Sequence, residues 1–419
     1  MEEIEHKTVR LGALLSYAIL LGPLLGQYAS FVPGISLGEL LLIVSTILIL
    51  LYNKGYRVKL NRVKPLLLLY FFGTTISLFS FLLQQQLSLL VITRMIRFSF
   101  YLFLVILCSC NLNKLVILKA YKKLCIVISA YIILQFIIFN IFGVLLPFKL
   151  LPFPWMDGRI YGVEEATHWA TIFYLRPSGF FLEPAYAAQF LLPGLLFSLY
   201  GWSINKPQKI NLLSFFLVLT ALLLTNSSTG ILISLIIIFM YFAQLVKKNK
   251  KYVDVIKNAF IVIFVIAIFL FFTQSELFNR TVRYVIGNIS GGGSTALRVF
   301  RGFAVFLELP MLFKFIGVGH GNLGQYVINN GITTNYDSVS DTLIAADYTN
   351  AISISLLYYG ILGFILYLNL FKNLLINTKH QFKLLVIVLF VLSFVSSIFF
   401  NVNMLLYMCL IYIGYETKY

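Results

Sequence analysis

Apolar stretches punctuate the chain at 11–31, 36–53, 65–83, 87–109, 124–146, 185–201, 210–225, 230–246, 258–274, 349–371, 384–399 and 403–415. A helix needs roughly 20 apolar residues to cross the ~30 Å hydrocarbon core of a bilayer, and most of these stretches approach that length. The pattern predicts an all-α fold: a polytopic transmembrane helical bundle of about 12 spans, a single integral membrane domain over residues 1–419. The opening MEEIEHKTVR is acidic for a secretory leader and no small-residue cleavage site follows, so the first stretch is expected to remain a span. Most connections are short. Two are not: 147–184 and 275–348 are far longer than ordinary loops, which makes them the expected seats of function.

Composition agrees with a bilayer as solvent. The chain is 60% hydrophobic and 11% charged, where a soluble domain carries roughly 25% charged residues. Forty Phe and 25 Tyr would leave too much aromatic surface in water, but suit a lipid-facing exterior with interfacial belts. Cys108, Cys110, Cys125 and Cys409 lie in or beside apolar stretches with no metal-ligand spacing, so neither a disulfide framework nor a zinc site is expected.

A net charge of +17 would suggest nucleic acid in a soluble protein, but here the basic residues report topology. With the N-terminus inside, cytoplasmic segments hold 22 Lys and Arg, notably in KGYRVKLNRVK (54–64) and KKNKK (247–251), against 8 outside. The positive-inside rule then places both termini in the cytoplasm and both long loops outside.

The kind of cation also changes across the membrane. Nineteen of the 22 inner residues are Lys, whereas six of the eight outer ones are Arg: Arg159, Arg176, Arg280, Arg283, Arg298 and Arg301. Arginine presents a planar fork that binds phosphate oxygens in bidentate fashion, so an outer arginine set suits a pyrophosphate held at the membrane border. Anchoring to lipid headgroups is the plainer reading. Arg94 and Arg97 lie three apart within the fourth span, where an unpaired charge costs at least a few kcal/mol. Either they face a polar cavity or they snorkel to the outer headgroups.

The first long loop ends in LRPSGFFLEPAYAAQFLLPG (175–194), whose Pro177, Gly179 and Pro184 put Arg176 and Glu183 on an irregular, membrane-proximal turn. Irregular backbone at that depth is expected to line a cavity. Asp157, Glu164, Glu165 and His168 precede it, each alone reading as a solvated loop residue. In the second long loop, 296–308 reads as an interfacial amphipathic helix with Arg298 and Arg301 on one face. The G-x-G-H-G-N that follows allows close backbone approach around His320, as a base or as a turn residue.

Four elements in this order resemble the O-antigen polymerase and ligase (Wzy/WaaL) superfamily. They are R-x-S-G-x-x-x-E-P at Arg176 to Pro184, the polar break NSSTG at 226–230, the arginine helix running into G-x-G at Arg298 to Gly319, and the Asn-led helix TNAISISLLYYGILGFILYL at 349–368. The resemblance covers most of the chain. It implies transfer of a glycan from an undecaprenyl-pyrophosphate carrier to an acceptor hydroxyl at the outer face of the inner membrane, with no nucleotide sugar and no cofactor or metal. Its partners would be the carrier-linked glycans, membrane lipid and a chain-length regulator.

On that reading the arginines of both loops, with Arg94, Arg97 and Asn350, hold pyrophosphate and glycan. Glu183, His320 or Asp347 serves as the base, and Glu183 leads because it belongs to a matched element. Ligases of the superfamily usually carry a His before the Asn that opens the late helix, whereas Thr349 stands here, which favours polymerase over ligase. A lipid-linked oligosaccharide flippase or other transporter is the main alternative of another class, and the missing internal repeat counts against it. A lipid-linked glycosyltransferase of another fold would carry acids in its first outer loop, for which the connection at 32–35 is too short.

The orientation is directly testable. Reporters fused near Lys250 and Lys379 are expected to read cytoplasmic, and those near Gly162 and Asn335 external. A cytoplasmic reading at Asn335 would end the case for chemistry outside.

Overall fold

A computed structural model of the protein describes residues 2–52, 60–84, 89–156, 176–202, 211–248, 297–334 and 349–416. Their regular structure is all helical, with no strand pairing beyond isolated bridges such as Tyr28 to Trp155. In chain order the long helices are α1 (Glu2–Leu25), α2 (Leu37–Tyr52), α3 (Leu60–Gln84), α4 (Leu89–Asn111), α5 (Lys114–Phe142), α6 (Pro184–Tyr200), α7 (Leu212–Leu224) and α8 (Ser228–Lys248). A π turn, Leu297–Arg301, leads into three short helices, α9 (Gly302–Glu308), α10 (Met311–Ile316) and α11 (Leu323–Asn329). The chain closes with α12 (Ala351–Asn377), α13 (His380–Val395) and α14 (Val402–Ile413).

Among the described residues four segments are long and apolar enough to cross a membrane, Leu60–Ser80, Val91–Ser109, Lys114–Phe142 and Ala351–Asn377, and six shorter apolar helices accompany them. Helices occupy eleven of the expected stretches; the ninth, 258–274, lies outside the described residues. Boundaries move where capping outweighs hydropathy. The fifth stretch was expected from 124, yet α5 starts ten residues earlier because the Asn113 side chain accepts from the Val116 amide, 3.2 Å away. Long lysine stems let Lys119, Lys122 and Lys123 sit on that first part of the helix with their charges at its border. At its far end Gly143, at φ 67°, closes α5 by donating to Phe139 O.

The helices bury one continuous apolar core, in which α6 and α14 are enclosed on almost every side. Exteriors of α2, α3 and α7 present Leu51, Phe71 and Leu213 outward, as lipid-facing surfaces do. Close crossings depend on small residues. Gly73 of α3 rides on the Tyr359 ring, Gly194 of α6 on the Cys125 thiol, and Gly230 of α8 on Ala188.

The main departure from a simple bundle is α12. It breaks at Gly360, whose φ of 62° and ψ of −168° are not helical. The break frees the carbonyls of Leu357 and Tyr358, and the glycine-rich segment between α10 and α11 takes them: Val318 N donates to Leu357 O at 2.8 Å and Gly319 N to Tyr358 O at 2.9 Å. Backbones touch here without intervening side chains. A Cβ on Gly317 would lie 2.3 Å from Tyr358 O, and one on Gly360 would lie 2.2 Å from Phe315 O. On its other side the segment meets α3. Ser80 Oγ donates to Val318 O at 2.5 Å, and the Ser77 hydroxyl accepts from the His320 amide at 2.8 Å.

Two glycines separate conformational cost from crowding. Gly34 and Gly317 both have positive φ, but a Cβ on Gly34 meets nothing within 4 Å. Gly34→Ala is expected to cost only the left-handed penalty of about 1–2 kcal/mol, and Gly317→Ala several kcal/mol, read as loss of thermal midpoint in detergent. Equal losses would show that the backbone docking is loose.

Candidate functional site

The polar residues within the helices gather toward the two ends of the bundle. One end carries the starts of α3 and α5 and the ends of α4, α12 and α14. There Arg62 donates to Ser109 O at 3.0 Å, Lys114 to Ile413 O at 2.9 Å, and Lys379 pairs with Glu416. Arg62 and Lys114 satisfy helix C-terminal carbonyls, which places positive charge where the helix dipole favours it. The other end holds the candidate chemistry.

At that end the turn 176–183 is pinned from behind by two buried amides. Gln135 of α5 donates to Gly179 O at 3.1 Å and accepts from Gly179 N at 2.9 Å, while Gln27 Oε1 accepts from Leu182 N. Gly179, at φ 64°, lies over Ile132. The result is a buried Pro177-Ser178-Gly179 with Arg176 exposed at its edge. Arg176 Nη2 donates to Asn226 O, 2.9 Å away, at the polar break between α7 and α8. Glu183 is half-buried at the N-cap of α6, with Pro184 at the first helical position.

From α6 the connection runs on through Gln189. Its amide donates to Ser396 Oγ at 2.7 Å and accepts from Asn403 at 2.8 Å, and its carbonyl accepts from the Tyr407 hydroxyl at 2.8 Å. Ser396, just past α13, in turn accepts at its carbonyl from Ala351 N, 2.9 Å away, at the start of α12. Asn350 caps that helix: its Oδ1 accepts from Ser353 N at 2.8 Å, and its amide donates to Val299 O at 3.0 Å in the π turn. Arg301 is buried on the same turn, and Gly302 packs against Thr349 and Ser353. Among the described residues the buried Thr349 hydroxyl has no hydrogen-bond partner. The four sequence elements, up to about 170 residues apart, thus form one connected set of contacts.

A second group forms where the glycine-rich segment enters between α3, α4 and α12. His320 is 4% exposed, its Nε2 hydrogen-bonded to the Tyr359 hydroxyl. Its ring lies 4.6 Å from Phe98 and 4.9 Å from Tyr358, centre to centre. Arg94 Nη1 donates to the Tyr358 hydroxyl at 3.0 Å. Burial first and the Arg94 guanidinium second lower the His320 pKa, so the imidazole is uncharged at neutral pH.

Arg97 takes neither of the two expected roles in simple form. Its Nε meets Glu39 Oε1 at 2.7 Å, its Nη2 donates to Gly34 O at 2.6 Å, and the Tyr101 hydroxyl donates to the same carboxylate at 2.9 Å. Glu39 also accepts from Ser36 N at 3.0 Å while Ser36 Oγ accepts from Glu39 N at 3.1 Å, a capping box that starts α2. Sequence reasoning missed Glu39, although the S-x-x-E spacing at Ser36 to Glu39 was legible. It also missed Tyr358 and Tyr359, which read as span aromatics, and Ser77 and Ser80, whose three-residue spacing on one helix face was the signal. Asp157, Arg159, Glu164, Glu165, His168, Arg280, Arg283 and Asp347 lie outside the described residues, as does the Arg298 side chain.

Fold and site together define a helical membrane protein with a polar, arginine-bearing cluster at one end of its bundle. Comparison with protein-family models, curated proteins and solved structures gives no match.

The Arg97 to Glu39 pairing is measurable. In a double-mutant cycle of Arg97→Gln and Glu39→Gln, the two losses of thermal stability are expected to be non-additive. The coupling should be on the order of 1 kcal/mol, since the arginine side chain is 43% exposed. Additive losses would return Arg97 to the set available for a ligand.

Proposed function

We propose that the protein is a polysaccharide polymerase of the bacterial inner membrane, transferring the growing O-antigen or capsule glycan from undecaprenyl pyrophosphate to a lipid-linked repeat unit. On this reading about twelve helices span the membrane, both termini are cytoplasmic, and the arginine end of the bundle faces outward. The observation that supports it is the meeting of four separated elements in one contact set: Arg176 on Asn226, Gly230 on Ala188, α6 on α12 through Ser396, and Asn350 on the π turn of Arg301.

The chemistry asks for two things. As the acceptor oxygen bonds to the anomeric carbon its proton must leave, and as the bond to the pyrophosphate oxygen breaks the growing negative charge must meet cations. Arg176, exposed at the rim, and the half-buried Arg94 would receive the pyrophosphate, joined by the other outer arginines. Among the described candidates Glu183 suits the base better than His320, because it is half-buried at the rim whereas the imidazole is enclosed. Thr349 has no basic nitrogen and its hydroxyl is buried against Gly302, which weighs against the ligase alternative.

One observation favours a transporter instead. Broken helices at membrane depth are typical of secondary transporters, and α12 is broken at Gly360. A reconstitution separates the two. Purified protein in lipid, given carrier-linked single repeats without nucleotide or added metal, is expected to build a ladder of longer chains. Arg176→Lys and Arg94→Lys keep the charge but lose the fork, and are each expected to slow the ladder roughly ten- to a hundredfold. Movement of the lipid-linked unit across the bilayer with no ladder would overturn the polymerase and promote the transporter.

A further inference from the structure

Away from both groups, the helices of 302–334 enclose an open cleft of about 370 Å³. Its walls are Glu308 at the end of α9, Pro310, Tyr326 of α11, and Asn330, Ile332 and Thr333 beyond it. The volume falls within the range of about 300–1,000 Å³ typical of small-molecule sites. Three kinds of polar group converge on it: a carboxylate that only accepts, an amide that donates and accepts, and a hydroxyl that does both. Tyr326 adds an aromatic body held edge-on by Phe313, with ring centres 5.1 Å apart. The described wall carries no cation.

The cleft is rigidly framed. α11 ends in a Schellman motif: Gly331, at φ 60°, donates from its amide to Ile328 O at 3.1 Å, and Ile332 N donates to Val327 O at 3.0 Å. The Asn330 side-chain amide donates a hydrogen bond to Tyr326 O at 2.8 Å. A preformed wall loses little order when a ligand binds.

Its neighbours are of the opposite character. Leu307, Met311 and Leu312 flank Glu308 and Pro310 in the chain and are 68%, 66% and 52% exposed. An apolar edge of that size in a membrane protein belongs in lipid, so the cleft opens at the border between lipid and water. A ligand that fits both sides has a neutral, hydroxyl-rich head and a lipid tail. Pyrophosphate does not fit, because the charge on the wall is negative.

We infer that the cleft lined by Glu308, Tyr326, Asn330 and Thr333 is a saccharide site, which holds sugars of a lipid-linked glycan beside the membrane surface. The inference rests on the polymerase reading and deepens it, by giving the glycan a seat separate from the arginines that receive its pyrophosphate. Glu308 and Thr333 provide acceptors and a donor for sugar hydroxyls, and the buried Tyr326 ring forms part of the wall.

Two near-isosteric variants test it, Glu308→Gln and Thr333→Val. The probes are the carrier-linked repeat unit from the cell that makes this chain and the same glycan released from its carrier by mild acid. Binding of the released glycan to the full chain in lipid nanodiscs is measured by calorimetry, and ladder formation with the carrier-linked unit is measured in parallel. Glu308→Gln is expected to weaken glycan binding and to raise KM at least about tenfold, with Thr333→Val smaller in the same direction and kcat kept in both. Unchanged binding of the released glycan in both variants overturns the site, even where the wild type builds a ladder. A raised KM with unchanged binding of the released glycan also overturns it, because the cleft would then hold the carrier rather than the sugar. A wild type that binds the released glycan through Glu308 yet builds no ladder keeps the site and retires the polymerase.

Discussion

A helix broken inside a bilayer leaves carbonyls that water cannot reach, and each unsatisfied group there costs several kcal/mol. α12 breaks at Gly360, and the protein meets that cost with backbone from another part of the chain. The amides of Val318 and Gly319 take the carbonyls of Leu357 and Tyr358, and the exchange requires Gly317 and Gly360 because no Cβ fits between the two backbones, while Gly319 lets the segment lie against Ser77 of α3. Much else follows from this contact. It draws residues 317–322 between α3 and α12, sets the His320 amide on Ser77, and packs its ring among Phe98, Tyr358 and Tyr359. Tyr358 is thereby placed to receive Arg94.

The same constraint explains why so many amides and hydroxyls lie within apolar helices. Gln135 serves the irregular turn at Gly179, Gln27 serves Leu182, and Gln189 ties Ser396 to Asn403. None of these side chains has water as an alternative, so each is bound to a backbone group or to a partner that closes a helix end. Arg97 and Glu39 follow the rule for charge: an acid that also caps α2 offsets a guanidinium within the fourth span.

Hydropathy made the helices legible because lipid imposes one requirement on every span, so the pattern alone located α2, α4, α6, α8 and α14 to within about two residues at their starts. It failed where a local bond competes with that requirement. Asn113 extends α5 back through four lysines, since a cap and snorkelling stems make that stretch helical despite its polarity. Gly360 sits in YYGILG, where a single glycine reads as a tolerated small residue for helix packing. Only the distant Gly317 to Gly319, with which it pairs, distinguishes a break from a close crossing, and that pairing is not a local signal. The resemblance elements were legible as words and not as an arrangement. That Arg176 reaches Asn226, or that Asn350 holds the π turn of Arg301, depends on contacts across 50 residues or more.

On the polymerase reading, the division of labour between the two polar groups follows from exposure. A general base has to reach the proton it takes, within about 3 Å of the acceptor oxygen. His320 is 4% exposed and its Nε2 already has the Tyr359 hydroxyl, so the imidazole acts as a neutral wedge that positions Tyr358 for Arg94. Arg94 itself is half-buried on α4 at the same end of the bundle. Glu183 and Arg176 stand on a turn whose interior is fixed by Gln27 and Gln135, which leaves their side chains at the rim on an immobile base. Rigid support beneath an accessible acid and an accessible cation is what transfer at the membrane border needs, because the carrier's position is already restricted to the plane of the bilayer. On that reading the buried histidine belongs to the scaffold that sets the arginine, and the rim residues Arg176 and Glu183 to the chemistry.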